Sequence, residues 1–284
     1  MSAGALEVTP TRVRELPAEL DGATRVGPYS TARPGMLLRV VPGVGRFLAR
    51  DGGRLEYWLE PGADPAAAEA LLQGGVLGAL MHQRGELPLH ATTLVRPDRT
   101  GAVALAGVSG AGKSTTAFEL IRRGWRMLSD DLTRVTVSDG VPKAWPGRSR
   151  LRLMEDACAR FGIATDGLMP APSCPGKYVL DLPRWDESVA LSAIVALERS
   201  DGELSVEAVR GATAVGAVAE QTYRLHYVNA LGQTGRHLAL VAATAAHAAV
   251  VRVRGRAPVE EVATAAARSV PDAARPRAVA SCPP

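Results

Sequence analysis

One segment constrains this chain more than any other: Gly107-Val108-Ser109-Gly110-Ala111-Gly112-Lys113-Ser114. It fits the pattern Gly, four residues, Gly-Lys-Ser, which the chain's own composition would produce by chance in roughly three of a thousand such sequences. Its flanks narrow the reading further. The apolar run Val103 to Ala106 predicts a strand leading in, and Ser114 to Arg123, free of breakers, predicts a helix leading out. Glycines let the backbone curl until its N–H groups point inward, and a helix N-terminus adds partial positive charge. The expectation is a phosphate-binding loop in an α/β fold, with Gly107 through Ser114 and the following Thr115 holding a nucleotide. Lys113 would reach the outer phosphates, and the Ser114 hydroxyl would ligate Mg²⁺. ATP and GTP both remain open as the nucleotide.

Composition sharpens the weight of that lysine. Of 33 basic residues only three are lysines, Lys113, Lys143 and Lys177. A position that keeps lysine in so arginine-rich a chain calls for a compact ammonium, which a guanidinium does not imitate. The 284 residues are 46% apolar and 22% charged, which suits a soluble globular chain of one large or two small domains. A net charge of +4 is weak beside the basic faces of nucleic-acid binders, so no nucleic-acid partner is expected. The longest uncharged run, His237 to Val251, is too short to span a bilayer. The opening Met1-Ser2-Ala3-Gly4 lacks the pattern of a signal peptide, so a cytoplasmic location is expected. Cys158, Cys174 and Cys282 match neither a zinc pattern nor a disulfide framework.

Along the chain, the first 34 residues read as irregular or as edge strands. A strand at 37–41 is followed by a hairpin from Gly45 to Glu60 around Arg50-Asp51-Gly52-Gly53. Asp64 and Pro65 open a helix that runs to about Gln83 and stops at Gly85, with Gly74 and Gly75 inside it as weak points. Strands are expected at His90 to Val95, Ala102 to Ala106, Trp125 to Leu128, Val189 to Leu197, Leu204 to Val209 and Val250 to Val253. A hairpin is expected around Ser138-Asp139-Gly140. Helices are expected near Glu155 to Phe161, Ala212 to Val228, Gly235 to Ala249 and Val259 to Ser269. This divides the chain into a β-rich amino-terminal segment with its helix (1–86), a core carrying the glycine-rich loop (87–269), and a frayed tail (270–284).

Asp130 and Asp131 are the second chemical element. The helix after the loop climbs about 15 Å at 1.5 Å per residue. The strand from Trp125 to Ser129 then returns roughly 16 Å at 3.3 Å per residue. The aspartates should therefore land beside the loop, at the carboxyl edge of the sheet where ligands bind in such folds. One carboxylate can hold Mg²⁺ while its neighbour faces the attacking hydroxyl.

Gly107 through Asp131 resembles the catalytic core of HPr kinase/phosphorylase. The shared features are the loop, a Glu-Leu-Ile-basic-basic-Gly helix end and the Asp-Asp pair at the same spacing. Leu89-His90-Ala91 resembles that family's histidine-containing strand, which implies that His90 lies near the catalytic aspartate. The likeness covers about residues 87 to 135. It implies a mixed sheet with flanking helices, of the type shared with the carboxy-terminal part of phosphoenolpyruvate carboxykinase, and phosphorylation of a serine hydroxyl. Thr115 stands where the bacterial enzyme has an acidic residue, and Trp125 where it has histidine. Neither that enzyme's separate amino-terminal domain nor its phosphorylase loop is recognisable. Residues 37 to 90, with Pro42-Gly43-Val44-Gly45-Arg46-Phe47 and His82-Gln83-Arg84-Gly85, instead resemble the HPr-kinase-related proteins of peptide natural-product clusters. Some of those phosphorylate a terminal serine of lasso-peptide precursors.

The remaining candidates are weaker. Arg148, Arg150 and Arg152 alternate, so on a strand they would share one face and could meet an acidic peptide end. Lys177 follows Cys174-Pro175-Gly176 and is a candidate nucleotide or substrate contact. Arg224 or Arg236 could assist the transferring phosphoryl group. The combined expectation is an ATP- and Mg²⁺-dependent serine kinase acting on a precursor peptide, in which Ser114 and Asp131 hold Mg²⁺ and Asp130 accepts the hydroxyl proton, with His90 tuning or orienting it. A homo-oligomer is left open. The rivals are a kinase for a small metabolite or an HPr-like protein, and a nucleotide-gated peptide-binding module without chemistry.

Overall fold

In a computed structural model of the chain, residues 8–171 and 174–270 are described. Met1–Gly4, Cys282 and the expected tail from residue 271 onward lie outside them. The fold is mixed α/β. The strands around the glycine-rich loop form one sheet, in the order Arg126–Ser129, Ala91–Val95, Ala102–Ala106, Val189–Glu198, Ala249–Arg254, Ser205–Val209. Ala102–Ala106, Val189–Glu198 and Ala249–Arg254 run parallel. Ala91–Val95 is antiparallel to both neighbours, so Arg126–Ser129 points the same way as Ala102–Ala106. The first two residues of the long strand pair with Lys143 and Ala144. That pairing carries the sheet on to Val141–Ala144, Thr133–Ser138 and Leu87–Leu89.

Every residue of Ala91–Val95 and Ala102–Ala106 is buried, as strands covered on both faces must be. On one face pack Lys113–Arg122, Val259–Arg268 and Glu155–Arg160, around Leu105, Leu120, Trp125, Val251 and Ala263. On the other pack Gly211–Glu220 and Thr234–His247, around Ala104, Ala106, Val218, Val241 and Val250. A separate six-stranded sheet holds the amino-terminal residues, in the order Thr11–Arg12, Arg54–Leu59, Gly45–Arg50, Met36–Val41, Ser30–Arg33, Thr24–Arg25. Its Gly45–Arg50/Arg54–Leu59 hairpin turns through left-handed Asp51 (φ 52°) and Gly52 (φ 66°), as the Asp-Gly signal requires. Phe47, Leu37 and Leu80 share a core there with Tyr227. No helix among the described residues is long and apolar enough to cross a membrane.

Two helices differ from expectation, for connected reasons. The first starts as read, with Asp64 accepting a hydrogen bond from the Ala66 N–H at 2.9 Å, and ends at left-handed Gly85. Between Pro65–Leu71 and Leu77–Arg84, however, it widens into a π-turn over Leu72–Val76, kinked at Gly74 (φ −105°, ψ −108°). The glycines admit an aromatic ring, since a Cβ on Gly78 would lie 2.8 Å from the ring of Tyr223. The second difference supplies that ring. The helix expected over 212–228 stops at Glu220, and Tyr227–Ala230 forms a separate turn of helix. Between them the backbone leaves the helix to pair with Leu87–Leu89: Thr222 bridges Leu89, and the Tyr223 N–H donates to the Pro88 carbonyl at 2.8 Å. Arg224 then turns through a left-handed φ of 54°. Apolar periodicity could not reveal this break, because strand pairing is a non-local gain.

Two buried histidines hold that crossing strip. The His82 ring donates from Nε2 to the Tyr223 carbonyl at 2.9 Å, and His237 Nε2 meets Thr222 Oγ1 at 2.9 Å. Burial drives the His82 pKa down to about 4, with the neighbouring His237 and His226 adding to the effect. The folded state therefore resists a proton that the unfolded chain accepts below about pH 6.5. Stability from this group is complete above that pH and declines as pH falls toward 4, by up to about 3 kcal/mol. Urea unfolding between pH 7.5 and 4.5 should show the decline in the wild type, and a shallower one in His82→Gln.

Candidate functional site

Sheet direction gathers the chemistry at one edge. The carboxyl ends of the parallel strands Ala102–Ala106, Arg126–Ser129, Val189–Glu198 and Ala249–Arg254 open there, and His90 sits where the antiparallel strand Ala91–Val95 begins. The glycine-rich loop follows the first of these strands. Gly107, Gly110 and Gly112 have φ of 132°, 84° and 98°, conformations that side-chain-bearing residues rarely adopt. Helix Lys113–Arg122 begins directly behind it. Lys113 folds back over the loop, donating from Nζ to the carbonyls of Gly107 (2.6 Å) and Val108 (3.2 Å) and lying 3.4 Å from His90 Nε2. Burial lowers the pKa of this ammonium, while Asp131 and then Asp130 pull it back up.

A Cβ on Gly107 would collide with the Leu197 carbonyl, in a backbone conformation already closed to alanine. Gly107→Ala is therefore expected to push the loop mouth out of shape at a cost of about 1–3 kcal/mol. The measurement is a thermal-shift titration, in which the variant should melt earlier and lose any stabilisation by nucleotide.

The two aspartates occupy unlike environments. Asp130 is buried and accepts a hydrogen bond from Thr92 Oγ1 at 2.7 Å; burial lifts its pKa to about 6. Asp131 forms the apex of a three-residue turn, closed by the Leu132 N–H on the Asp130 carbonyl at 2.8 Å, with a left-handed φ of 68°. Such backbone is strained, and strain of this kind collects where a side chain must be aimed. Its carboxylate lies 3.6 Å from His90 Nδ1 and 3.0 Å from Arg152 Nη2, on the open side of the cleft. His90 thus touches Asp131 and Lys113, whereas the sequence reading had it tuning Asp130. Its pKa is lowered by burial and then by Lys113. With Lys113 donating to Nε2, the ring presents Nδ1–H toward Asp131.

The arginine triplet separates. Arg148 precedes the strand Arg150–Met154 and pairs with Glu69 at 2.6 Å, and Arg150 pairs with Asp181 at 2.9 Å. Arg152 alone reaches the aspartates. It gets there because the Asp130 N–H donates to the Arg148 carbonyl (2.7 Å) and the Gly147 N–H to the Leu128 carbonyl (2.9 Å), tying the segment alongside strand Arg126–Ser129. Lys177 begins the paired strand Lys177–Asp181, and its charge weighs on Lys113. Two flanking cavities complete the site. One is lined by His90, Gly107, Val108, Asp131, Tyr223 and Arg224 among others. The second, about 570 Å³, lies on the far side of the loop against Ala111, Gly112, Thr115, Asp156, Arg160 and Arg256. Of the two arginines expected to assist phosphoryl transfer, Arg224 lines the cleft, while Arg236 packs over Gly85. Sequence reading missed Thr92, Tyr223 and the outer cavity, and left Arg152 unselected within its triplet.

No protein-family model and no curated protein matches the chain. Among solved structures, it is similar to the Hpr(Ser) kinase/phosphatase from Coxiella burnetii. The TM-score is 0.35 at 11% identity, over 64% of this chain and 93% of that one.

Proposed function

We propose that this chain is an ATP- and Mg²⁺-dependent kinase of the HPr-kinase-like type, transferring a γ-phosphoryl group to a serine hydroxyl near the carboxyl end of a peptide such as a lasso-peptide precursor. Residues 87–269 form its catalytic core, with 1–86 a β-rich segment on its flank. One observation carries the reading: a left-handed glycine loop capped by a folded-back Lys113 shares a sheet edge with the Asp130-Asp131 turn. The loop amides and Lys113, released from its own carbonyls, bind the phosphates. The outer cavity beyond Thr115 takes the base and ribose.

The donors present suit a nucleotide-borne cation. Ser114 and Asp130 offer oxygens, the class a hard cation prefers. Among the described residues no cluster of three or more His, Cys, Asp or Glu could hold a metal unaided, so the phosphates would supply most ligands. Bound there, Mg²⁺ would neutralise charge on the phosphates. Asp131, open to the cleft, takes the proton of the attacking serine hydroxyl. His90 orients that carboxylate through Nδ1, and Arg152 balances its charge. This exchanges the two aspartate roles expected from the sequence, because Asp131 stands on the open side of the cleft beside His90, while Asp130 lies deeper with one carboxylate oxygen accepting from Thr92. The test is incubation with Mg²⁺, ATP and either HPr or a serine-ended precursor peptide, followed by mass spectrometry. The peptide should gain one phosphoryl group. HPr phosphorylated with the peptide untouched overturns the acceptor assignment, and nucleotide binding without transfer to any acceptor favours the non-catalytic module.

A further inference from the structure

A third cavity, of about 530 Å³, lies between the amino-terminal sheet and the crossing strip, and neither loop nor aspartates reach it. Arg25, Arg39 and Arg224 line it with His226, and among the described residues no aspartate or glutamate lines it. Arg39 Nη1 donates to Ser30 Oγ at 3.1 Å, while its buried Nε has no hydrogen-bond partner among the described residues. Arg25 spends Nε and Nη2 on the carbonyls of Gly27 and Pro28, which fixes the guanidinium without neutralising it. Arg39 Nη1 lies 3.8 Å and Arg224 Nε 4.0 Å from the point a Cβ on Gly75 would occupy, so two like charges flank one position. Converging guanidiniums without a counter-charge are unfavourable, and a buried donor left unpaired costs more. An anion relieves both. Arg224 also lines the catalytic cleft, so the two cavities adjoin through one residue. Burial lowers the pKa of both His90 and His226, and the Arg224 charge adds to the effect on each.

We propose that this cavity binds an acidic side chain of the acceptor peptide, a few residues before the serine presented to Asp131. The terminal carboxylate of a serine-ended peptide enters the cleft together with the neighbouring hydroxyl, which leaves a carboxylate further back in the chain for this cavity. Arg39 and Arg224 clamp it, and Arg25 supplies longer-range attraction. The assignment of the peptide as acceptor rests on the kinase reading; the binding itself does not.

The probes are a fluorescein-labelled peptide with three glutamates before a final serine, and its glutamine counterpart. Both are titrated with the full chain by fluorescence anisotropy, without nucleotide. The acidic peptide should bind about tenfold or more tighter, a preference that falls as salt rises. Arg39→Gln and the exposed Arg25→Gln should each reduce that preference. Equal binding of the two peptides, or a preference unchanged in both variants, overturns the proposal. So does inorganic phosphate displacing the acidic peptide at a lower concentration than free glutamate, because the cavity would then serve phosphate. With ATP and Mg²⁺ added, Arg39→Gln should raise KM for the acidic peptide while kcat and the KM for ATP stay unchanged. If the wild type binds acidic peptide selectively but transfers no phosphate, the cavity stands and the kinase reading fails.

Discussion

Lys113→Ala is expected to reduce phosphoryl transfer by about 10²–10³-fold, the range seen when one preorganised charge-stabilising donor is removed. The fold should survive. The loop owes its shape to glycines at φ of 132°, 84° and 98°, and Lys113 contributes only hydrogen bonds to the Gly107 and Val108 carbonyls. Losing those costs about 1 kcal/mol in total stability, since net gains from single hydrogen bonds are small. Lys113→Arg should rescue little, because a planar guanidinium does not fit where a compact ammonium turns back onto the Gly107 and Val108 carbonyls. Rate and melting temperature measured on the same samples check both halves of the prediction. Full activity in Lys113→Ala removes the phosphate-loop reading.

The second large effect separates the aspartates. Asp131→Asn should retain nucleotide binding and lose about 10²–10⁴-fold in turnover, because an amide accepts no proton from the serine. Asp130→Asn should instead weaken Mg²⁺-nucleotide binding by about 10–100-fold, because a neutral oxygen is a poorer partner for a hard cation. Its fold should tolerate the change, since the amide oxygen still accepts from Thr92 Oγ1. Calorimetric titration with Mg²⁺-ATP, beside single-turnover rates, distinguishes the two. The reverse pattern would return the roles to those expected from the sequence.

The proposed exchange of roles marks where sequence reading stops. The Asp-Asp pair and its place beside the loop follow from local quantities: helix rise, strand rise and a Gly124 turn. Which aspartate faces the cleft depends on a left-handed residue at 131 and on Thr92, 38 positions away. The arginine triplet behaves likewise. Alternation correctly aligned Arg150 and Arg152 on one strand, but the carboxylate each meets (Asp181 or Asp131) comes from other parts of the chain.

Sequence alone determined the elements whose causes are local. Among these are the Asp64 cap, the Asp51-Gly52 and Asp139-Gly140 turns, the buried strands beside the loop, and the loop itself with its one lysine. Its glycines and helix start need nothing distant to take their shape. Tertiary structure decided what depends on pairing between remote segments. The helix expected through Val228 breaks at Glu220 because Thr222 and Tyr223 gain partners on Leu87–Leu89. That break aims Arg224 at two cavities and lays Tyr223 against Gly74 and Gly78. Periodicity records only which face of a segment is apolar. It carries no information about a strand more than a hundred residues earlier whose unpaired backbone groups make a broken helix the lower-energy course.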